Sequence, residues 1–238
     1  MSDKLQIGLV LPDVMGTYGD GGNALVLRQR LRMRGYDADV IEITLAEPVP
    51  DSLDIYTLGG AEDYAQRLAT RHLQRYPGLQ RAAERGAPVL AICAAIQVLG
   101  NWYETSAGER VDGVGMLDVT TSPQSTRSIG EVLTTPLVDG LHAPLTGFEN
   151  HRGGTTLGTS ATPLGRVTSG VGNGVGDGFE GAAQGSVIGT YMHGPALARN
   201  PELADLLIAR ALGVTELPPL DLPEVEQLRK ERLAAGRR

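Results

Sequence analysis

The chain's only cysteine, Cys93, lies in the stretch PVLAICAAIQVLGN between an apolar run and a helical pattern. Pro88 to Ile92 has the length and composition of a buried parallel strand, and residues 94–100 begin a helix. A side chain on such a strand-to-helix elbow is exposed above the sheet. The backbone N–H of Ala94 has no partner within the helix and can stabilise an oxyanion. The helix N-terminus is also expected to lower the thiol pKa, so the pattern predicts a nucleophilic thiolate.

A lone cysteine is more often a small buried apolar residue than a nucleophile. Two features favour the nucleophile. Small residues surround the elbow, and Gln97 lies one helical turn after Cys93 on the same face.

A thiolate needs a base, and the chain has four histidines. His193 is the best candidate because it ends the apolar strand Val187 to Met192. The carboxyl ends of parallel strands meet in one crevice, which would bring His193 to Cys93. In the same way, Gly60 follows the strand Asp54 to Leu58, and its backbone N–H is predicted as the second oxyanion donor.

The order of elements predicts an α/β fold with a doubly wound, mainly parallel sheet. After Gly113 the segments become short and rich in Gly, Pro, Ser and Thr, which predicts an antiparallel extension. Asn200 is expected to cap the helix Asn200 to Leu212. We expect one domain over residues 1–213, followed by a proline-rich spacer and a charged tail over 214–238. The remaining predicted elements are strands Leu5–Leu11 and Ala38–Ile43, helix Asn23–Arg34, and a helix over Arg71–Arg85 broken near Pro77.

Composition narrows the function classes. The 238 residues carry a formal net charge of -7, which gives no electrostatic reason to bind nucleic acid. No apolar run approaches the roughly 20 residues of a membrane span, and the N-terminus lacks a signal-peptide pattern, so we expect a cytoplasmic protein without direct membrane insertion. With one cysteine, neither an internal disulfide nor a cysteine-rich metal site is expected.

The elbow resembles the G-x-C-x-G-x-Q motif of class I, triad-type glutamine amidotransferases, with Ala91 and Ala95 in place of the glycines. Alanine disfavours positive φ, which predicts a less strained elbow. With His193 in Y-M-H-G, the chain is most similar to the cobyric-acid-synthase-like branch. The resemblance implies a flavodoxin-like fold in which Cys93 attacks glutamine and Gln97 helps to hold it.

Within this branch, the segments YGDGGN (18–23) and GFENHRGGT (147–155) are similar to the glutaminase subunits of lipid II isoglutaminyl synthases. The resemblance implies a heterodimer with a Mur-ligase-like subunit, which uses ATP and Mg to activate a D-glutamate of lipid II for peptidoglycan synthesis. It implies no cofactor on this chain. It also assigns the carboxylate of the glutamine substrate to Arg127, whose guanidinium can bind a carboxylate through two hydrogen bonds.

The larger family completes its triad with the glutamate of H-P-E, and Pro195 stands in its place here. Glu149, Asp177 and Glu180 are conceivable replacements, but none has a telling spacing. We therefore expect the partner subunit to supply the acid. Three alternatives remain open: a cysteine hydrolase of the DJ-like α/β class, a non-catalytic amidotransferase-like subunit and a stand-alone glutaminase.

Overall fold

A computed structural model describes residues 4–236, which form thirteen strands and seven helices. The strands are β1 (Leu5–Val10), β2 (Ala38–Ile43), β3 (Ile55–Leu58), β4 (Val89–Ile92), β5 (Trp102–Glu104), β6 (Arg110–Asp112), β7 (Val119–Pro136), β8 (Leu145–Leu157), β9 (Gly165–Ser169), β10 (Phe179–Glu180), β11 (Ala182–Gln184), β12 (Val187–Thr190) and β13 (Met192–His193). The helices are α1 (Gly22–Met33), α2 (Asp63–Arg75), α3 (Gly78–Glu84), α4 (Ala94–Leu99), α5 (Ala196–Arg199), α6 (Pro201–Leu212) and α7 (Pro223–Ala235).

The first sheet has the order β11-β12-β4-β3-β1-β2, and all its pairs are parallel except β11 with β12. Its central strands β3 and β4 are buried at every residue, as apolar runs in a parallel sheet require. Helix α1 contacts α6, and α2 contacts α4, so helices cover the sheet. The predicted doubly wound α/β fold is confirmed.

The second sheet has the path β10-β9-β7-β5-β6, with β8 on β7 and β13 on β8, and only β5 with β7 is parallel. The antiparallel part of the fold is thus divided between β11 and this second sheet. Long strands β7 and β8 pair in two stretches separated by a register shift between Pro123 and Ser128. The shift forms a bulge within β7, and Arg127 lies in it.

The chain crosses between the sheets where the sequence predicted one continuous strand. Residues Val187–Thr190 pair with β4 of the first sheet, whereas Met192 and His193 pair with Glu149 and Phe148 of β8. His193 therefore lies at the junction of the two sheets.

Two helical predictions need correction. Helices α2 and α3 are separated near Pro77, which confirms the predicted break, but α2 begins at Asp63, eight residues before the predicted start at Arg71. Asn200 does not cap α6 with its side chain. Its Oδ1 instead accepts from the N–H of Thr146 at 2.9 Å, and its Nδ2 donates to the Thr146 carbonyl at 2.8 Å, which ties α6 to β8.

After Gly213 the charged segment forms helix α7, whose Arg229 donates to the carbonyl of Arg199 at 3.0 Å. The last two residues of the predicted tail, 237 and 238, lie outside the described residues. The domain boundary at 213 stays a prediction. Within residues 4–236, every helix is too short or too polar to cross a membrane.

Candidate active site

Cys93 occupies a strained backbone position between β4 and α4. Its φ is 54° and its ψ is -111°, a conformation that costs a non-glycine residue about 1–3 kcal/mol. The turn is held because the Cys93 N–H donates to the Thr190 carbonyl at 2.8 Å and the Cys93 carbonyl accepts from Ile96 at 2.9 Å. The prediction of a less strained elbow, made from the two alanines, is therefore wrong. Ala91 and Ala95 do not have positive φ, so alanine fits both positions.

The thiol of Cys93 is buried, with 6% of the residue exposed. Burial, and to a smaller extent the Asp20 carboxylate, raise the pKa of Cys93 to about 12, and the Ala94 backbone N–H opposes the rise only in part. The expected lowering of the thiol pKa is wrong, because desolvation outweighs the short helix. At neutral pH the thiol keeps its proton and needs a base.

His193 has a carboxylate partner within the same chain. Its Nδ1 lies 3.0 Å from Oδ1 and 3.2 Å from Oδ2 of Asp20, and both residues are buried. An ionised carboxylate only accepts, so Nδ1 carries the proton and donates. The other ring nitrogen, Nε2, is buried and has no hydrogen-bond partner among the described residues. In this tautomer Nε2 is unprotonated and can act as a base.

The prediction that this chain lacks an acid for His193 is therefore wrong. The three candidates considered from the sequence lie elsewhere. Glu149 accepts from the N–H groups of Val171 and Gly172, Asp177 accepts from Phe179, and Glu180 accepts from Thr190 and Tyr191. The missed acid belongs to the YGDGGN segment, whose single carboxylate among glycines was the available signal.

This segment is docked against the His193 region by several contacts. The Tyr18 ring lies 4.8 Å from the His193 ring, centroid to centroid. Asn23 accepts from the N–H of Leu197 at 3.0 Å, and a β-carbon at Gly22 would overlap Pro195. Pro195 thus packs against the loop that carries the acid.

Gly60 lies where the three reactive side chains meet. A β-carbon added there would lie 3.1 Å from His193 Cε1, 3.4 Å from Asp20 Oδ2 and 3.4 Å from Cys93 Cβ. The Gly60 N–H donates to Asp20 Oδ2 at 2.8 Å. The prediction of Gly60 as an oxyanion donor is therefore wrong for this structure, since its N–H holds the acid instead. Ala94 stays the predicted donor.

Cys93 opens into a cleft of about 190 Å³. Its charged lining residues are Glu62, Asp63, Glu104, Arg127 and Arg152. Gln97 also lines the cleft, but its amide is engaged within the protein: Oε1 accepts from Gln66 at 2.8 Å and Nε2 donates to Tyr191 at 3.3 Å. Its predicted contact with substrate stays a prediction.

Arg127 reaches the cleft from the bulge of β7. Its Nε donates to Asn150 Oδ1 at 2.7 Å, and its Nη2 donates to the Tyr18 hydroxyl at 3.3 Å. The guanidinium is exposed and has no acidic partner among the described ion pairs. The structure therefore brings all six predicted site residues, Cys93, His193, Gly60, Ala94, Arg127 and Gln97, to one region.

A buried polar cluster, not predicted from the sequence, lies beneath the elbow. The Tyr191 hydroxyl hydrogen-bonds Thr155 at 2.6 Å, and its ring stacks on His151 with centroids 3.8 Å apart. Glu180 accepts from the Thr190 hydroxyl and the Tyr191 N–H, both at 2.7 Å. Burial raises the pKa of Glu180 to about 7.

A cysteine elbow beside a His–carboxylate pair on a parallel sheet is an arrangement typical of acyl transfer through a cysteine. The chain matches the model of the CobB/CobQ-like glutamine amidotransferase domain over residues 6–201. It belongs to this family, which confirms the resemblance seen in its motifs.

Individual proteins similar to this chain support the same family. The chain is 37% identical over 217 residues to the GatD subunit of lipid II isoglutaminyl synthase (glutamine-hydrolyzing) of Staphylococcus aureus, covering 90% of this chain and 87% of the relative. It is 31% identical to the same subunit of Streptococcus pneumoniae, covering 97% and 89%. A cobyric acid synthase of Sphingopyxis alaskensis is 30% identical over 74% of this chain and 35% of its own.

Among solved structures, the glutaminase domain of Trypanosoma brucei CTPS aligns with a TM-score of 0.53 at 10% identity, covering 91% of this chain and 97% of that domain. At this identity the likeness concerns the fold alone, and it agrees with the predicted amidotransferase fold.

Proposed function

We propose that the chain is the glutaminase subunit of a lipid II isoglutaminyl synthase, with Cys93, His193 and Asp20 as its catalytic residues. The buried Asp20–His193 hydrogen bond beside a strained cysteine is the observation that carries the mechanism. The 37% identity to the S. aureus subunit over most of both chains supports the particular assignment.

In the first half-reaction, Cys93 Sγ attacks the side-chain amide carbon of glutamine while His193 Nε2 takes the thiol proton. Asp20 keeps the proton on Nδ1 and stabilises the imidazolium that forms. The Ala94 N–H stabilises the oxyanion. His193 then protonates the amide nitrogen, the C–N bond breaks, and ammonia leaves a thioester on Cys93.

In the second half-reaction, His193 takes a proton from water as the water attacks the thioester carbon. The C–S bond breaks, the thiolate regains the proton from His193, and glutamate leaves. Each glutamine therefore consumes one water and yields one ammonia and one glutamate.

The ammonia would be consumed by a Mur-ligase-like partner in a heterodimer. That subunit would use ATP and Mg to activate a D-glutamate carboxylate of lipid II, and ammonia would convert the activated carboxylate to an amide. We place no cofactor on this chain and propose that it works in the cytoplasm, where the nucleotide is available.

The test measures ammonia and glutamate released from glutamine by the purified chain and by Cys93→Ala, each alone and with the candidate ligase. We expect equal amounts of both products from the natural chain and none from Cys93→Ala. Amidated lipid II should form from glutamine only when the ligase, ATP and Mg are all present.

Two outcomes would reject parts of the proposal. If Cys93→Ala hydrolyses glutamine as fast as the natural chain does, Cys93 is not the nucleophile. Hydrolysis without any amidated lipid II in the complete mixture would leave a stand-alone glutaminase.

A further inference from the structure

Three side chains form a continuous chain of hydrogen bonds at the cleft. Arg127 Nη2 donates to the Tyr18 hydroxyl at 3.3 Å, and that hydroxyl donates to Glu62 Oε1 at 3.2 Å. The guanidinium of Arg127 and the carboxylate of Glu62 are therefore hydrogen-bonded to the same oxygen atom. The Tyr18 ring is also 4.8 Å from the ring of His193, so this pair of opposite charges lies next to the catalytic base.

The Glu62 carboxylate is not committed to a structural role. It precedes α2 as the N-cap residue, yet its side chain makes no capping hydrogen bond. The next residue, Asp63, differs because its carboxylate accepts from the N–H and the hydroxyl of Ser106. Glu62 is exposed and forms no ion pair among residues 4–236.

Arg152, the other guanidinium of the cleft, is engaged by the backbone. Its Nε donates to the Gln124 carbonyl at 2.8 Å and its Nη2 to the Ser125 carbonyl at 3.5 Å. Among the charged lining residues, Glu62 and Arg127 are thus the oppositely charged pair joined through one hydroxyl.

Glutamine carries its ammonium and its carboxylate on the same carbon, so the groups that bind them must lie close together. We propose that Glu62 binds the α-ammonium group of the glutamine substrate, while Arg127 binds the α-carboxylate. Glu62 would then make the site selective for an amino acid over an amide that lacks the amino group. The inference rests on the proposed glutaminase function and adds its specificity-determining residue.

Tyr18 links substrate binding to the base. Burial raises the pKa of Tyr18, and the nearby Glu62 raises it further, so the phenol keeps its proton and acts as the donor to Glu62. Binding of the ammonium to Glu62 would hold Tyr18 against His193 while the side-chain amide extends to Cys93.

The test compares two substrates that differ only in the α-ammonium: glutamine and glutaramate, which has hydrogen in its place. Ammonia release is measured for the natural chain, for Glu62→Gln and for Glu104→Gln, a comparison variant that removes another carboxylate of the same cleft. If glutaramate is not turned over, its inhibition constant against glutamine hydrolysis replaces kcat/KM.

We expect Glu62→Gln to lower kcat/KM for glutamine about tenfold, mainly through KM, because one exposed charged hydrogen bond is lost. Its kcat/KM or inhibition constant for glutaramate should change less than about twofold, since that ligand offers no ammonium. The preference for glutamine over glutaramate should therefore fall about tenfold in Glu62→Gln and be retained in Glu104→Gln.

Equal losses for both ligands in Glu62→Gln would overturn the inference, because they would indicate a merely structural role. So would an unchanged preference in Glu62→Gln or the selective loss appearing in Glu104→Gln. If the natural chain releases no ammonia from glutamine, the proposed function fails and this inference fails with it. That result is visible in the natural chain, whereas failure of the inference alone is visible only in the variants.

Discussion

The candidate site has a buried half and an exposed half, built in different ways. In the buried half, Cys93, His193 and Asp20 are 6%, 3% and 2% exposed. Backbone hydrogen bonds hold Cys93 and Asp20, and His193 is hydrogen-bonded to Asp20. In the exposed half, Glu62 lies at the start of α2 and Arg127 in the bulge of β7, and the two side chains are joined through Tyr18. Under the proposed function, the protein fixes the reacting groups before substrate arrives and leaves the groups that recognise the substrate accessible.

The first prediction concerns the resting thiol of the buried half. Raising the pKa of Cys93 from 9.0 to about 12 leaves roughly a thousandfold less thiolate at pH 8 than an ordinary cysteine has. Alkylation by iodoacetamide, followed by intact mass, should therefore rise with pH beyond 10 without a plateau in the folded chain. In denaturing urea, the rate of alkylation should be half-maximal near the ordinary pKa of the thiol and reach a plateau above it.

Because Cys93 is the only cysteine, the mass shift reports on it alone. The pH at which the rate rises decides the question, since burial slows the reagent at every pH. A plateau below pH 8 in the folded chain would mean a thiolate activated before substrate binds, against this prediction.

The second prediction tests whether Asp20 is the acid that supports His193. Asp20→Asn keeps the shape of the side chain but cannot stabilise an imidazolium, so kcat for glutamine hydrolysis should fall on the order of 100-fold. KM should change little, because Asp20 does not line the exposed half. Steady-state kinetics of ammonia release measure both quantities.

Asp177→Asn is the matched control, since within residues 4–236 Asp177 accepts only from the nearby Phe179 N–H of its own loop. Both variants are assayed with and without the ligase. If the ligase restores Asp20→Asn to natural activity, the acid comes from the partner after all.

The third prediction concerns the buried acid that supports the elbow from beneath. Glu180 has a pKa raised from 4.5 to about 7, so the folded protein holds its proton longer than the unfolded chain does. Stability is therefore lost as pH rises from about 4.5 to 7, by roughly 3 kcal/mol for the full shift. Glu180→Gln removes this loss while its amide oxygen can still accept from Thr190 and Tyr191.

Urea unfolding at pH 5 and pH 8 tests the sign of this change in stability with pH. The free energy of unfolding of Glu180→Gln, relative to the natural chain, should be higher at pH 8 than at pH 5. The exposed Glu84→Gln should show no such difference. A relative stability that falls with pH would contradict a raised pKa.

From the sequence, the residues of the buried half could be predicted only where they follow a strand that its apolar run identifies. Apolar runs identified β4 and β12, which pair in parallel and place Cys93 and His193 beyond neighbouring strand ends. Asp20 was missed because it is 173 residues from His193 in sequence and lies in a loop, where no periodicity marks a neighbour. Helix α2 began too late in the prediction because its buried face includes Gln66, Thr70 and His72, which hide an apolar stripe.

The fourth and smallest predicted effect belongs to the exposed half. Arg127→Gln removes the proposed partner of the substrate carboxylate, and KM for glutamine should rise about tenfold, with kcat nearly unchanged. Arg152→Gln is the matched control because its guanidinium bonds backbone carbonyls rather than Tyr18. A loss of kcat without a change in KM in Arg127→Gln would mean that Arg127 acts on the reacting groups. The site would then not divide into a half that reacts and a half that recognises the substrate.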